Sequence, residues 1–212
     1  MGRYRVSGRR AMRRRAGHHA ANRYMVMIMV RGDTARLLTR SIPRSIFPDR
    51  AERRPPHITL YGPFTLCTGH TAADIMDCIN SLSKNRSPLA YGVSGLIGLR
   101  GRKGEALALE ISPDTEMKEF YDLLSNRLRT MADRSTWIDR HPELRRLHIT
   151  LAFNMRAGEA DGIREKIVVP NPAREIETAG RITLMRNGAL WREYDLVSHQ
   201  WLNRAASFPM KD

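Results

Sequence analysis

The chain has 212 residues, of which 42% are hydrophobic, and a formal net charge of +14. This size and composition are typical of a single globular domain, and no apolar run approaches the ~20 residues that span a bilayer. Cys67 and Cys78 are the only cysteines, which argues against a disulfide framework and favours a reducing compartment. We therefore expect a cytoplasmic monomer that does not bind membranes.

The first 23 residues differ from the rest of the chain. They hold eight arginines and no acidic residue, and a block of like charge with little apolar surface does not fold by itself. We predict a disordered segment at 1–23, a single domain at 24–204 and a tail at 205–212. Three interpretations of the segment stay open: an RNA-binding arm, a crude transit peptide, or residues lost because translation starts at Met12 or Met25.

Hydrophobic spacing, prolines and capping residues predict an alternation of strands and helices through the domain. The order is β-α-β-β-α-β, followed by a partial repeat. The predicted elements are a strand at 24–30, a short helix at 34–41, a proline-rich loop at 43–56, a strand from 57, a helix from 71, strands at 89–100 and 105–111, a helix after 114 with an apolar stripe, a strand at 146–154, a helix at 159–166, and a hairpin at 176–187 and 190–201.

A basic turn joins the two strands in the middle of the chain. Its sequence, GRKG at 101–104, is rich in glycine but no helix with a Gly-Lys-Ser/Thr start follows, so we reject a phosphate-binding loop of that kind. Arg100, Arg102 and Lys103 are candidates for contacts with RNA phosphates. The alternative is that they form a solvated charged turn.

One short phrase occurs twice in the sequence. HITLYGPF begins at His57 and HITLAF begins at His148. Because side chains alternate along a strand, each copy presents a histidine and a threonine on one face and two apolar residues on the other. The threonines of the two copies are Thr59 and Thr150. If the two strands are neighbours, two imidazoles and two hydroxyls converge.

These four groups suit phosphodiester chemistry. One imidazole can take a proton near neutral pH while the other gives one, and hydroxyls can hold the oxygens of an anion without adding charge. A metal site is a weaker interpretation, because two histidines without a carboxylate or a third histidine make a poor zinc site. The remaining alternative is that the repeat is a coincidence of two ordinary strands.

The paired motifs, about ninety residues apart on strands of a chain of this length, resemble those of the two-histidine (2H) phosphoesterase superfamily. That superfamily includes the RNA 2′,3′-cyclic phosphodiesterases, also called 2′-5′ RNA ligases. The resemblance covers residues 24–201. It implies an α+β fold of two similar lobes, with antiparallel-rich sheets flanked by helices around a groove, and neither metal nor cofactor. It also implies a catalytic quartet of His57, Thr59, His148 and Thr150.

The expected reaction is hydrolysis of a 2′,3′-cyclic phosphate at the end of an RNA or on a nucleotide, with reversible 2′-5′ ligation as related chemistry. We expect His148 to be the base and His57 the acid. Tyr61 shares the phase of His57 and Thr59, so it is a candidate for stacking on a base or ribose, against the alternative of packing on a helix. A non-catalytic RNA-binding module is the competing hypothesis.

Overall fold

The computed structural model describes residues 21–31, 55–101, 104–165 and 176–202. Several predicted features lie outside these residues, namely the disordered segment up to residue 20, the helix at 34–41, most of the loop at 43–56, Arg102, Lys103 and the tail at 205–212. The predictions about them stay predictions.

Ten strands and four helices make up the described part of the chain, together with one turn of 3₁₀ helix. The strands are β1 (Tyr24–Met29), β2 (His57–Leu66), β3 (Leu89–Gly101), β4 (Gly104–Pro113), β5 (Ala132–Arg134), β6 (His148–Met155), β7 (Glu177–Ala179), β8 (Arg181–Arg186), β9 (Ala189–Asp195) and β10 (Gln200–Leu202). The helices are α1 (Ala72–Ser83), α2 (Thr115–Met131), α3 (Trp137–Arg140) and α4 (Glu159–Arg164), and Pro142–Leu144 is the 3₁₀ turn.

The strands form a single sheet in the order β10-β9-β8-β1-β2-β6-β4-β3-β7, and β5 pairs with β2 beside this path. Each pairing between the described strands is antiparallel. The predicted α+β class with antiparallel strands is confirmed. The sheet comprises one lobe of β10, β9, β8, β1 and β2 and a second lobe of β6, β4, β3 and β7. The two lobes meet at β2 and β6, which pair through Ile58 and Ile149.

The predicted final hairpin divides between the two lobes. Asn187 and Gly188 form its turn with positive φ angles of 53° and 82°, as Asn-Gly turns require. The first arm, however, breaks at Gly180: β7 pairs with β3 at one side of the sheet, and β8 pairs with β1 toward the other. Because one residue spans less than ~4 Å, the sheet must curve until these two regions lie close together.

The helices α1 and α2 pack together and share one main core with both lobes. Asp114 caps α2 by accepting a hydrogen bond from the Met117 backbone N–H at 2.7 Å, a contact worth about 1 kcal/mol. Asp74 accepts from the backbone N–H of Thr71 at 2.6 Å at the start of α1. The predicted apolar stripe of α2 is buried: Met117, Phe120, Tyr121, Leu124 and Leu128.

Both cysteines are thiols rather than disulfide partners. Cys78 is buried in α1, where desolvation raises its thiol pKa to about 11, and Cys67 is half-buried. Among the described helices, none is long and apolar enough to cross a bilayer.

Candidate active site

The two repeated motifs lie side by side at the middle of the sheet. The pair Ile58 and Ile149 fixes the antiparallel register of β2 and β6. In that register His57 lies opposite Thr150, and Thr59 lies opposite His148. Each histidine therefore faces the threonine of the other motif, and the four groups surround one point of approximate two-fold symmetry.

The four polar side chains point away from the apolar core. Ile58 and Ile149 are 0% and 1% exposed and belong to the main core. Since alternate residues of a strand point to opposite faces, their neighbours in each motif are on the other face. Three of them, His57, Thr59 and Thr150, line one open cavity of about 770 Å³.

The two imidazoles are held in the same way. Nδ1 of His57 lies 2.9 Å from the carbonyl oxygen of Pro55, and Nδ1 of His148 lies 2.8 Å from that of Arg146. A carbonyl can only accept, so Nδ1 carries the proton in both rings. This contact can persist in the neutral and the charged imidazole, which leaves Nε2 as the atom that exchanges a proton.

The surroundings of His148 favour its neutral form. Burial lowers the pKa of this imidazole, and the charges of Arg145 and His57 lower it further, while the hydrogen bond to the Arg146 carbonyl opposes the shift. A neutral imidazole with an unprotonated Nε2 accepts protons. The lowered pKa thus favours an unprotonated Nε2 in His148.

A buried ion pair, which the sequence analysis did not identify, connects the two motifs. Asp139 is 1% exposed, and its carboxylate accepts hydrogen bonds from the Arg145 guanidinium and, at 3.1 Å, from the backbone N–H of Gly62. Arg145 also donates to the Thr59 carbonyl at 3.4 Å. The Asp139–Arg145 pair is therefore hydrogen-bonded to β2 at two points. Arg145 lies three residues before His148.

Thr136 completes the surroundings of Asp139. Its backbone N–H and its hydroxyl both donate to the Asp139 carboxylate, which forms a capping box at the start of α3. Thr-x-x-Asp is a local capping pattern. What it could not reveal is that the same carboxylate would meet an arginine six residues later and a glycine 77 residues earlier.

Tyr61 does not face the cavity, contrary to the prediction from its spacing. Met27 pairs with Thr59 but Val26 pairs with Tyr61, so β2 has one extra residue, Leu60, at this point. A β-bulge of this kind reverses the alternation that follows it. Tyr61 is consequently 0% exposed and packs edge-to-face on Phe64, with ring centroids 5.1 Å apart.

The same environment keeps the Tyr61 phenol un-ionised at neutral pH. Burial and the nearby Asp139 carboxylate raise its pKa to about 12. Phe64 is also buried in the core.

Gly62 shapes the wall of the cavity after the bulge. Its φ angle is +103°, and a Cβ atom there would lie 2.9 Å from the Tyr24 carbonyl oxygen. A side chain is therefore excluded by backbone atoms as well as by conformation. This close approach keeps β2 against the start of β1.

The basic hairpin tip lies apart from the histidines. Arg100 is paired with Glu105 at 3.3 Å and its side chain is 81% exposed, and it does not line the cavity that contains His57. Arg102 and Lys103 lie outside the described residues. A role for this tip in RNA binding stays a prediction.

Other residues complete the cavity wall. They come from the start of β1 and from the β8–β9 turn, namely Ala21, Arg23, Tyr24, Met25, Met185, Asn187 and Gly188, together with Gly62 and Pro63 of β2. No local pattern in the sequence points to them, because the residues of β1 and of the β8–β9 turn meet only through the pairing of β1 with β8. Within the described ranges, no group of three or more His, Cys, Asp or Glu side chains is placed to hold a metal ion.

An antiparallel α+β fold with two His-x-Thr strands side by side defines the two-histidine phosphoesterase class. The family model of the 2′-5′ RNA ligase superfamily matches residues 31–189. The chain belongs to this superfamily, whose members act on phosphodiester bonds.

One solved structure supports the same fold assignment. Usb1 from Kluyveromyces marxianus is similar with a TM-score of 0.51 and 9% identity over 80% of this chain and 96% of that one. LigT from E. coli, solved with 3′-AMP, gives a TM-score of 0.48 and 14% identity over 82% and 97% of the two chains. A comparison with curated proteins gives no match.

Proposed function

We propose that the protein hydrolyses 2′,3′-cyclic phosphate ends of RNA or nucleotides. The observation that carries the proposal is the register of β2 and β6, in which each histidine lies opposite the threonine of the other motif. Two proton-exchanging Nε2 atoms and two hydroxyls can then surround one phosphate. Membership of the 2′-5′ RNA ligase superfamily supports this chemistry.

The reaction uses one imidazole on each side of the phosphorus. Nε2 of neutral His148 accepts a proton from water, whose oxygen bonds to phosphorus. The bond from phosphorus to O3′ breaks, and Nε2–H of charged His57 donates a proton to O3′. The products are a 2′-phosphate and a 3′-hydroxyl. If the 5′-hydroxyl of another RNA replaces water, the same steps form a 2′-5′ linkage.

The threonine hydroxyls hold the two non-bridging oxygens of the phosphate. Negative charge on these oxygens changes as the attacking and leaving oxygens exchange, and donors fixed by a strand need not reorganise to follow it. Hydroxyls suit this position better than cations, because another positive charge close to His148 would lower its pKa still further.

The nucleotide class of substrate has independent support. Usb1 of Kluyveromyces marxianus, which shares the fold, has been solved with uridine monophosphate. The net charge of +14 adds attraction for a polyanion.

The test is turnover of nucleoside 2′,3′-cyclic phosphates by purified protein in the presence of excess chelator, with the product identified as the 2′- or 3′-phosphate. We expect metal-independent formation of the 2′-phosphate. Loss of all activity on chelation would contradict the roles given to the imidazoles. Absence of turnover on cyclic and 2′-5′ linked substrates, with RNA binding intact, would support the RNA-binding module instead.

A further inference from the structure

The cavity extends well beyond the four reacting groups. His57, Thr59 and Thr150 lie at one end, and Arg23 with the β8–β9 turn lies at the other. Arg23 precedes Ile28 by five positions, and Ile28 pairs with Ile58 at the centre of the quartet. At ~3.4 Å per residue, the two ends are about 17 Å apart along the strand.

The floor between the two ends is apolar. Met27 pairs with Thr59, so the odd-numbered residues of β1 lie on the face that carries the reacting groups. Met25 is on this face and pairs directly with Met185 of β8. Both methionines are half-buried and line the cavity. Their flexible thioether side chains make favourable contacts with aromatic rings such as a nucleobase.

Arg23 stands at the far end with its backbone fixed. Its N–H donates to the side-chain oxygen of Asn187 at 2.9 Å, and its carbonyl accepts from the Asn187 N–H at 2.8 Å. This pairing extends the β1–β8 ladder and keeps Arg23 in phase with Met25. Its side chain is exposed, and no carboxylate of the described residues forms an ion pair with its guanidinium.

A cyclic mononucleotide cannot use this end of the groove. Its single phosphate is the one that reacts, and it has no second phosphate to place near Arg23. A guanidinium recognises phosphate oxygens through paired hydrogen bonds. Along the groove, the reacting groups are followed by an apolar floor and then by a cation. This order matches an RNA chain that continues in the 5′ direction from the cyclic end.

We infer that this groove is a subsite for the nucleotides that precede the cyclic phosphate, with a base on Met25 and Met185 and a phosphate at Arg23. The inference rests on the proposed function. It makes the preferred substrate an oligonucleotide end and Arg23 the residue that discriminates it from a cyclic mononucleotide.

The test compares kcat/KM for one-, two- and three-nucleotide substrates that all end in a 2′,3′-cyclic phosphate. For the wild type we expect kcat/KM to rise on addition of the second or third nucleotide. In Arg23→Gln we expect that gain to fall by about tenfold, as for loss of one charge-assisted contact, while the mononucleotide changes by less than about twofold.

Arg186→Gln is the matched control. Arg186 is next to Asn187 but pairs with Tyr24 on the opposite face, where its guanidinium lies 4.5 Å from the Trp191 ring centroid. This variant removes the same charge near the same turn, and the gain from added nucleotides should survive. An equal loss in both variants would mean that general charge, not a subsite, controls the preference.

The outcomes separate the two proposals. If the wild type turns over mononucleotides and longer substrates equally well, and Arg23→Gln has no selective effect, the subsite is wrong while the hydrolase stands. If no cyclic substrate of any length is turned over, the proposed function fails. The salt dependence of binding gives a second readout. For a 3′-phosphorylated trinucleotide, Arg23→Gln should reduce the slope of the logarithm of the association constant against the logarithm of salt concentration by about 0.7.

Discussion

Strands β2 and β6 carry the same His-x-Thr motif, and both histidines donate Nδ1–H to the carbonyl two residues earlier. Their neighbours differ. β2 pairs with β1 through a bulge at Leu60, whereas β6 follows a segment that brings the buried Arg145 close to His148. Burial and nearby charge, rather than the motif itself, therefore lower the pKa of the His148 imidazole.

The sheet joins these two strands by few pairs, although both carry the reacting groups. One residue pair joins β2 to β6, while β1 pairs with β2 at five positions. The Asp139–Arg145 pair supplies bonds from the segment before β6 to the Thr59 carbonyl and the Gly62 N–H. The relative position of the two motifs thus depends on this pair as well as on the sheet.

Replacement of either histidine should have the largest effect on turnover. General acid or base catalysis contributes about 10²- to 10⁴-fold, so His57→Ala and His148→Ala should each lose at least that factor in kcat, with RNA affinity nearly unchanged. The pH profiles should differ between the two variants.

The wild-type profile should be bell-shaped. Since the base must be unprotonated, activity rises with pH through the pKa of His148, which lies below the usual histidine value. Residual activity of His148→Ala should lack this acid limb, and that of His57→Ala should lack the basic limb. Loss of the same limb in both variants would contradict their separate roles. Three charged or titratable groups lie close to His148. His57 and Arg145 lower its pKa, and Glu110, which lies opposite His148, forms an ion pair with Arg146.

Asp139→Ala should give the largest loss of stability. It leaves the guanidinium of Arg145, whose side chain is 7% exposed, without its carboxylate, and breaking such a buried pair costs about 3–5 kcal/mol. Urea unfolding measures the change in the free energy of unfolding. The control is Glu110→Ala, which breaks the neighbouring and more exposed pair with Arg146 and should cost less than about 1 kcal/mol. Equal losses would refute the role given to Asp139.

The threonines should have an intermediate effect. Thr59→Val and Thr150→Val keep the branched shape on the strand but remove the donor, so kcat/KM should fall by about ten- to a thousand-fold. Thr→Ser at either position keeps the donor and should change kcat/KM little. If both valine variants fold by circular dichroism and turn over substrate at the wild-type rate, the hydroxyls are structural.

Tyr61→Phe should have the smallest effect. The ring packs against Phe64 inside the core, and this substitution keeps the ring, so KM should not change and stability should shift by less than about 1 kcal/mol. A clear rise in KM, measured on the cyclic mononucleotide, would return Tyr61 to the substrate pocket.

Local patterns in the sequence determined the elements and the reacting groups. Asp114 and Thr71 mark helix starts, Asn187-Gly188 marks a turn, and alternation about Ile58 and Ile149 predicts which motif residues leave the core. These signals act over a few residues, through capping, backbone conformation and strand periodicity, and are readable without knowledge of the neighbours.

Tertiary structure decided which distant residues meet. The phase of Tyr61 changed because β1 pairs around a bulge, and the partners of Asp139 come from positions 62 and 145. The groove beyond the quartet exists because β8 crosses to β1 after Gly180 and brings Met185 and Asn187 beside Met25 and Arg23. Such contacts depend on pairing between strands far apart in the chain, and no local periodicity encodes that pairing.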